Sequence, residues 1–401
     1  MTDSGGEGVD RPRGFFEITP DLVGTPFGEH DLESARGVYR DLFQKLEIEN
    51  WPNNPVGPLR VWWTQEGTQS ACYLIYIARI FYQLSRNITR RSEPIFYEKA
   101  KRLFVELIDS VYGENLAELE VGFILSHAMS PISYEPMVPA EKIGSANQPK
   151  SPDFGVRLPS GDLAIEVTVW HWQALRDWDA AQQQISVRLG ARLRRAGLAR
   201  QVAVGLPLHV QSADIEAVAS SVVVDMMRAP TGEITISLSG GETTIRWAEF
   251  PVFTTFEEIA VSNQMAEGFG MGAIGSLEKP FGFSVHPMFD DEAIDKAATS
   301  LRKALDRKRR QAIDGLPNII ALGLGHHRLE WEWVYRIISV KIWPNPKYKW
   351  ITALAAYTPE RAWDQLSGTA MISFEWNPNA EIPAPQTLRD VADGRATFHL
   401  P

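Results

Sequence analysis

The sequence has little cysteine and no long hydrophobic run. Cys72 is the one cysteine among 401 residues, which excludes an intramolecular disulfide framework and a zinc site built on cysteine. The most apolar stretch, residues 70–84, is too short to span a bilayer and contains Arg79. The N-terminus is polar and glycine-rich, unlike a signal peptide. We therefore expect a cytoplasmic protein with no membrane partner.

The chain also lacks an excess of basic residues. It contains 40 Lys and Arg against 50 Asp and Glu, which gives a formal net charge of −10. This balance argues against a protein coated with basic nucleic-acid-binding surface, although positive charge can still be concentrated locally. No Gly-x-Ser-x-Gly motif occurs, so serine-centred hydrolysis has no support. The 44% of hydrophobic residues is enough for a substantial core, and the length favours two or three domains.

The most informative segment covers residues 152–168. Residues 153–158 predict a short strand and residues 163–169 a strongly apolar second strand, with a turn between them. Glu166 lies in the middle of the apolar strand, where an ionised carboxylate is costly unless a cation binds it. The hairpin can bring Asp153 close to Glu166. Two converging carboxylates are what a hard divalent cation needs.

This segment resembles the PD-(D/E)XK nuclease superfamily, which has the restriction-endonuclease-like fold. The family motif is Pro-Asp, a variable gap, then Glu or Asp, any residue, and Lys; Pro152, Asp153 and Glu166 match it. Thr168 occupies the lysine position, and some lineages with Thr there take a basic or amide group from elsewhere. The resemblance implies an α/β fold with a mixed-sheet core flanked by helices, here after a helical N-terminal region. It also implies that Asp153 and Glu166 bind Mg²⁺ or Mn²⁺.

A helix before the hairpin should contribute a further acid to such a site. Residues 115–125 predict this helix, which contains Glu118 and Glu120. Family members often carry an acid followed by Leu at this point, which favours Glu118. Helical periodicity instead places Glu120 on the face of Leu116 and Phe123, directed toward the core. Both acids remain candidates, and Glu120 is the candidate third metal ligand.

Lys308 and Gln311 are the candidates to replace the missing motif lysine. The helix predicted over residues 291–312 carries a basic run, but Lys308 lies on its apolar stripe and Gln311 flanks that stripe. A lysine on a buried helix face is costly unless it meets an anion. We therefore expect the Lys308 ammonium or the Gln311 amide to approach Thr168 and Glu166.

The chain divides into predicted segments. These are a loosely ordered N-terminus that Phe15, Phe16 and Phe27 could anchor (residues 1–30), a helical region (31–112), a nuclease-like core (113–375) and a Pro-rich tail (376–401). Within the core, residues 201–208 predict the next core strand and residues from about 230 to 250 an inserted hairpin.

The function that the resemblance implies is divalent-metal-dependent cleavage of phosphodiester bonds, first of all in DNA. Arginines near the end of the helix predicted after Glu166 and the basic run at 303–310 would suit a phosphate-binding groove. A role in defence against foreign DNA is an analogy.

Two alternatives to a nuclease stay open. One is an inactive relative that binds nucleic acid or a partner protein, because Thr168 cannot do lysine chemistry. The other is an assembly subunit, or a homo-oligomer, with Trp-rich contact surfaces.

Overall fold

The structure is a computed structural model that describes residues 14–48, 57–65, 67–128, 131–136, 151–158, 161–208, 210–249, 282–288, 291–324, 331–357, 369–386, 388–389 and 397–399. Its α-helices are α1 (Glu29–Lys45), α2 (Pro58–Thr64), α3 (Thr68–Asn87), α4 (Glu93–Val105), α5 (Asp109–Ala128), α6 (Gln173–Ala196), α7 (Ser212–Ser221), α8 (Val223–Arg228), α9 (Asp291–Lys308) and α10 (Trp331–Ile337). Its strands are β1 (Ile132–Tyr134), β2 (Phe154–Leu158), β3 (Gly161–Trp170), β4 (Arg200–Pro207), β5 (Gly232–Leu238), β6 (Gly241–Glu249), β7 (Gly282–Met288), β8 (Asn318–Leu324), β9 (Ala353–Tyr357), β10 (Thr369–Trp376) and β11 (Thr397–His399).

The chain splits into two compact units, Met1–His171 with Ser300–Pro401, and Trp172–Thr299. The first unit is built on a seven-stranded sheet in the order β1-β2-β3-β8-β9-β10-β11. Strands β3, β8 and β9 are parallel neighbours at its centre, and the strands on either side run antiparallel. The apolar run of β8 is buried throughout, which is typical of a central parallel strand covered on both faces. The predicted α/β architecture with a mixed sheet flanked by helices is therefore confirmed.

Helices α1–α5 supply the hydrophobic layer on one face of this sheet. Ile165, Val167 and Val169 of β3 belong to the same core as the apolar side chains of α3 and α5. Because side chains alternate along a strand, Glu166 and Thr168 belong to the opposite face. The described residues between 31 and 112, where a helical region is predicted, contain α1–α4 and the start of α5. No helix in the described residues has both the length and the apolar character needed to cross a lipid bilayer.

The two ends of the first unit are more ordered than their composition indicates. Phe15 and Phe27, two of the three aromatic residues that could anchor the N-terminal segment, are buried in the core, and residues 1–13 lie outside the described part. Aromatic burial outweighs the glycine and proline content there. In the predicted tail, the buried amide of Asn377 donates to the carbonyl oxygens of Tyr348 and Ile351 at 3.0 and 2.9 Å. The start of the Pro-rich tail is therefore fixed to the core.

The second unit has its own four-stranded sheet in the order β5-β6-β4-β7, together with α6–α8. Strands β5 and β6 form the hairpin predicted for residues from about 230 to 250. The prediction of residues 201–208 as the next core strand is wrong, because β4 pairs with β6 and β7 instead. In the core sheet the neighbours of β3 are β2 and β8. The segment inserted into the core is thus a folded unit and not a hairpin alone.

Candidate functional site

The β2–β3 hairpin brings Asp153 against Glu166. Strand β2 pairs with β3 only as far as Ile165, so β3 continues past the first residue of β2. Asp153 takes the place of the missing ladder partner: its Oδ2 accepts the Val167 N–H at 2.8 Å, and its own N–H donates to Glu166 Oε2 at 3.2 Å. Asp153 is 2% and Glu166 4% exposed. Hydrogen bonds from two backbone N–H groups therefore fix the positions of both carboxylates.

Lys308 and Gln311 both bind Glu166. The Lys308 ammonium donates to Glu166 Oε1 and lies 4.0 Å from Asp153 Oδ2. The Gln311 amide donates to Glu166 Oε2 at 2.7 Å and to the Ser151 carbonyl at 3.3 Å. Helix α9 ends at Lys308, and the 3₁₀ turn after it directs Gln311 to the same carboxylate. The predicted approach of these two groups to Glu166 is confirmed.

Glu118 is the acid of α5 that belongs to this cluster. Its carboxylate forms an ion pair with Lys99. It also lines a polar cavity of about 220 Å³ together with Thr168, Lys308 and Gln311. Glu118, the acid that the resemblance favoured, therefore lies in one cavity wall with Lys308 and Gln311. Thr168, which occupies the position of the motif lysine, lies in the same wall.

Glu120 lies elsewhere. It is 2% exposed, and its Oε1 accepts the Tyr76 hydroxyl at 3.1 Å inside the helical layer. The prediction from periodicity that Glu120 faces the site and serves as a metal ligand is therefore wrong. The reason is that α5 is buried around most of its circumference, so its apolar residues do not mark a single inward face.

Lys99 is a member of the cluster that the sequence analysis missed. It lies on α4, is 8% exposed, and bridges Glu118 and Glu135, with Nζ 3.4 Å from Glu135 Oε1. The neighbouring apolar residues Phe96 and Ala100 are fully buried. A lysine on the apolar stripe of a helix was the signal that identified Lys308, and the same signal applies to Lys99.

Burial and neighbouring charges raise the pKa values of two carboxyl groups and two lysines of the cluster. Desolvation and the nearby Asp153 carboxylate raise the pKa of Glu166 well above its usual range, although Lys308 opposes this shift. Desolvation and Asp153 also raise the pKa of Glu118, against the effect of Lys99. Desolvation lowers the pKa of each lysine, but the surrounding carboxylates outweigh it and raise both pKa values. The Glu118 and Glu166 carboxyl groups therefore hold a proton to a higher pH than usual, and both lysines stay positively charged.

The predicted basic residues divide between the two units. In the second unit, Arg188 and Arg192 pair with Glu216, so part of the predicted arginine cluster is neutralised there. In the first unit, Arg307 and Arg310 line the polar cavity and are exposed. Positive charge is therefore available next to the carboxylates from the basic run at 303–310.

The carboxylates suit a divalent cation that needs few protein ligands. Within the described residues, no group of three or more His, Cys, Asp or Glu side chains is arranged to hold a metal ion. Mg²⁺ does not require such a group, because it often binds through one or two carboxylates, water and substrate phosphate. Asp153 and Glu166 supply this smaller set of oxygen donors. Lys308 is the positive charge next to both carboxylates in the structure.

Comparisons with protein-family models, with curated proteins and with solved structures find no match to this chain.

Proposed function

We propose that this chain is a divalent-metal-dependent nuclease, acting first of all on DNA, with a restriction-endonuclease-like core. The observation that supports the proposal is the convergence of Lys308 and Gln311 on Glu166 beside Asp153, although Lys308 is 142 residues from Glu166 in sequence. Burying charged groups costs several kcal/mol per ion unless each is paired. Clusters of buried, mutually perturbed ionisable groups next to a cavity are typical of functional sites.

Each residue of the cluster has a chemical role in this proposal. Asp153 and Glu166 would bind Mg²⁺ or Mn²⁺, which when bound polarises a phosphate and lowers the pKa of water. Lys308 supplies the positive charge that Thr168 cannot, and it can stabilise negative charge developing on the phosphate. Gln311 holds Glu166 in one orientation. Glu118 adds a negative charge at the cavity wall and is itself held by Lys99.

Cleavage assays with Mn²⁺ on single-stranded and double-stranded DNA and RNA test the proposal. Asp153→Asn and Glu166→Gln should each reduce metal-dependent cleavage to background while circular dichroism remains that of the folded protein. Asp162→Asn is the matched control, because Asp162 lies on the same hairpin but is exposed and pairs with Arg157 at the surface. Full activity in both the Asp153 and the Glu166 variant would contradict the proposal.

A catalytically inactive protein that binds nucleic acid or a protein partner is the second candidate function. One observation favours it: Lys308, Gln311 and the Asp153 N–H already satisfy both oxygens of Glu166. The ion-pair network is thus complete at Glu166 without a metal. Calorimetric titration with Mn²⁺ separates the candidates. Heat of binding that disappears in Asp153→Asn supports the nuclease, and no heat in the wild-type protein supports the inactive relative.

The proposal includes a cytoplasmic location and a role in defence against foreign DNA. The location is supported by the single, buried Cys72, since proteins of oxidising compartments commonly use disulfides. The defence role is an analogy with the nuclease superfamily and follows from no residue of this chain. Loss of resistance to foreign DNA in cells that carry Asp153→Asn in place of the wild-type protein would support it.

A further inference from the structure

Two cavities of different chemistry lie side by side at the carboxylate cluster. The polar cavity described above has a volume of about 220 Å³, and a second cavity has a volume of about 650 Å³. They share Glu114, Val169 and Arg307 in their walls, so they adjoin each other. The wall of the second cavity is mainly apolar and includes Trp170 and Ala304. The polar cavity is lined by three cations, Arg307, Lys308 and Arg310, and by the two carboxylates of Glu114 and Glu118, so its cations outnumber its anions. A ligand with one anionic and one flat or apolar part would suit the pair of cavities.

Three cationic side chains lie in a row along the walls of both cavities. Lys303, Arg307 and Arg310 are exposed, at spacings of four and three residues along α9 and the turn after it, which places them on one side over about 10 Å. Lys303 and Arg307 line the apolar cavity, and Arg307 and Arg310 line the polar one. In the described part of the chain none of the three forms an ion pair, whereas Lys296 of α9 pairs with Glu292. These charges are available to an anionic ligand.

We infer that the two cavities bind an unpaired nucleotide of a polynucleotide strand. Its phosphate occupies the polar cavity next to Lys308, its base occupies the apolar cavity, and neighbouring phosphates lie on the row of cations. This inference rests on the proposed function and narrows its substrate to single-stranded or locally unpaired nucleic acid. A base within a duplex would first have to leave its stack, and this selects for strands that are already unpaired.

The charge distribution supports a strand bound along this row. With a net charge of −10, the molecule as a whole repels a polyanion. Attraction must therefore come from a local surface. The apolar cavity adds a contribution that does not depend on base sequence, because every base presents a flat face of similar polarity. We expect little sequence preference and a strong dependence on salt.

Fluorescence anisotropy with a labelled 12-nucleotide DNA strand and its duplex, in EDTA so that no cleavage occurs, tests the inference. The single strand should bind at least tenfold more tightly than the duplex. Arg307→Met and Arg310→Met should each weaken single-strand binding several-fold and reduce the slope of log affinity against log salt by about 0.7. Lys101→Met removes an exposed charge from α4 and should leave both quantities unchanged.

A variant that narrows the apolar cavity tests the position of the base. Ser300 lines this cavity and accepts the Trp170 indole N–H at 3.2 Å. Ser300→Leu should weaken single-strand binding without changing the salt slope, since no phosphate contact is lost. A strand carrying 2-aminopurine gives a second readout that needs no variant, because its fluorescence rises when the base leaves its stack on binding to the wild-type protein.

The outcomes separate this inference from the proposed function. Equal affinity for single strand and duplex, or an unchanged salt slope in both arginine variants, overturns the inference even if the protein cleaves DNA. A clear preference for the single strand together with no cleavage in Mn²⁺ supports the inference and overturns the nuclease proposal. An unchanged 2-aminopurine signal on binding overturns the placement of the base.

Discussion

Lys308 neutralises Glu166 from the end of a helix, and this position is favourable for a cation. The last turn of a helix exposes unsatisfied carbonyl groups with partial negative charge, which attract an ammonium group. A lysine at position 168 would have come from the same strand as Glu166. In this chain Thr168 lines the cavity, and the positive charge reaches Glu166 from α9. The two arrangements place the charge in the same region from different elements.

Lys308→Met should lower Mn²⁺-dependent cleavage by about 10²- to 10³-fold, the usual cost of losing one electrostatic group at a reacting phosphate or carbonyl. It should also destabilise the fold by about 3–5 kcal/mol, because Glu166 stays buried without its cation. Cleavage rates per folded molecule and urea unfolding check the two effects. Lys296 lies on the exposed part of the same helix. Lys296→Met should leave both the cleavage rate and the stability nearly unchanged. Similar effects in both variants would contradict the assigned role.

Lys99 is a positioning residue whose loss should appear in the pH profile. Lys99 opposes the rise in the pKa of Glu118 that desolvation and Asp153 cause. Without it, the pKa of Glu118 rises further, so a higher pH is needed to ionise this carboxylate. The acidic limb of kcat/KM against pH should therefore move to higher pH in Lys99→Met and return part of the way in Lys99→Arg. Lys101→Met should leave the profile unchanged, and a loss of activity with no shift of the limb would indicate a purely structural role.

At the scale of elements, α5 decides which acid belongs to the site. Glu118→Gln should lower cleavage at least tenfold, because it removes a negative charge that would help to hold the proposed cation beside Asp153 and releases Lys99 from its ion pair. Glu120→Gln should leave the cleavage rate unchanged, since Glu120 faces Tyr76 in the helical layer. Rates measured at one Mn²⁺ concentration, with stability monitored in parallel, distinguish the two. The reverse order would show that the side chains of α5 are arranged differently in solution.

The start of α1 gives a prediction about stability against pH. Asp31 accepts the Gly28 N–H at 2.8 Å and pairs with Arg79. Desolvation opposes its ionisation, but these contacts outweigh it and lower the pKa of Asp31 below the ordinary value of 3.8. The stabilisation is therefore present above about pH 4 and disappears as the pH falls through the lowered pKa. Asp31→Ala should cost about 1 kcal/mol at pH 7, and this difference should be smaller at pH 2.

Asp41→Ala is the control for that experiment, because Asp41 is an exposed residue of the same helix. Its effect should stay below about 0.5 kcal/mol at both pH values. Urea midpoints for the three proteins provide the comparison. A loss in Asp31→Ala that persists unchanged at pH 2 would show that the contribution of Asp31 does not depend on its charge.

Local sequence patterns predicted the helices and strands that carry the site. Which elements pack together depends on tertiary contacts, which these patterns do not show. The hairpin of β2 and β3 and the buried face of α9 are visible in the sequence, because alternation and helical periodicity are local properties. The place of Lys99 is not, since nothing local shows that α4 packs beside α5. The same limit applies to β4: an apolar strand pattern does not show which sheet the strand joins, and β4 joined the second one.

At the scale of the whole molecule, the second unit lies within the connection between β3 and β8. These strands are parallel neighbours, and parallel strands require a crossover connection of a dozen or more residues. Here the crossover contains Trp172–Thr299 and then the C-terminal half of α9. The site is nevertheless built from residues of the first unit, including Asp153, Glu166 and Lys308. Ligands of the cluster should therefore act on the stability of that unit.

Hydrogen exchange with and without Mn²⁺ tests this last prediction. At a Mn²⁺ concentration of about 100 times Kd, binding should stabilise the first unit by about 2.7 kcal/mol, which slows its most protected amides roughly 100-fold. Peptides from β3 and β8 should show this slowing, because these strands form the centre of the sheet that carries the cluster. Peptides from β5 and β6 report on the second unit and should exchange at an unchanged rate. Asp153→Asn should abolish the slowing in β3 and β8, since it removes one of the two proposed oxygen donors. Equal slowing in both units would mean that they unfold as one, and no slowing in either would remove the metal from the proposed mechanism.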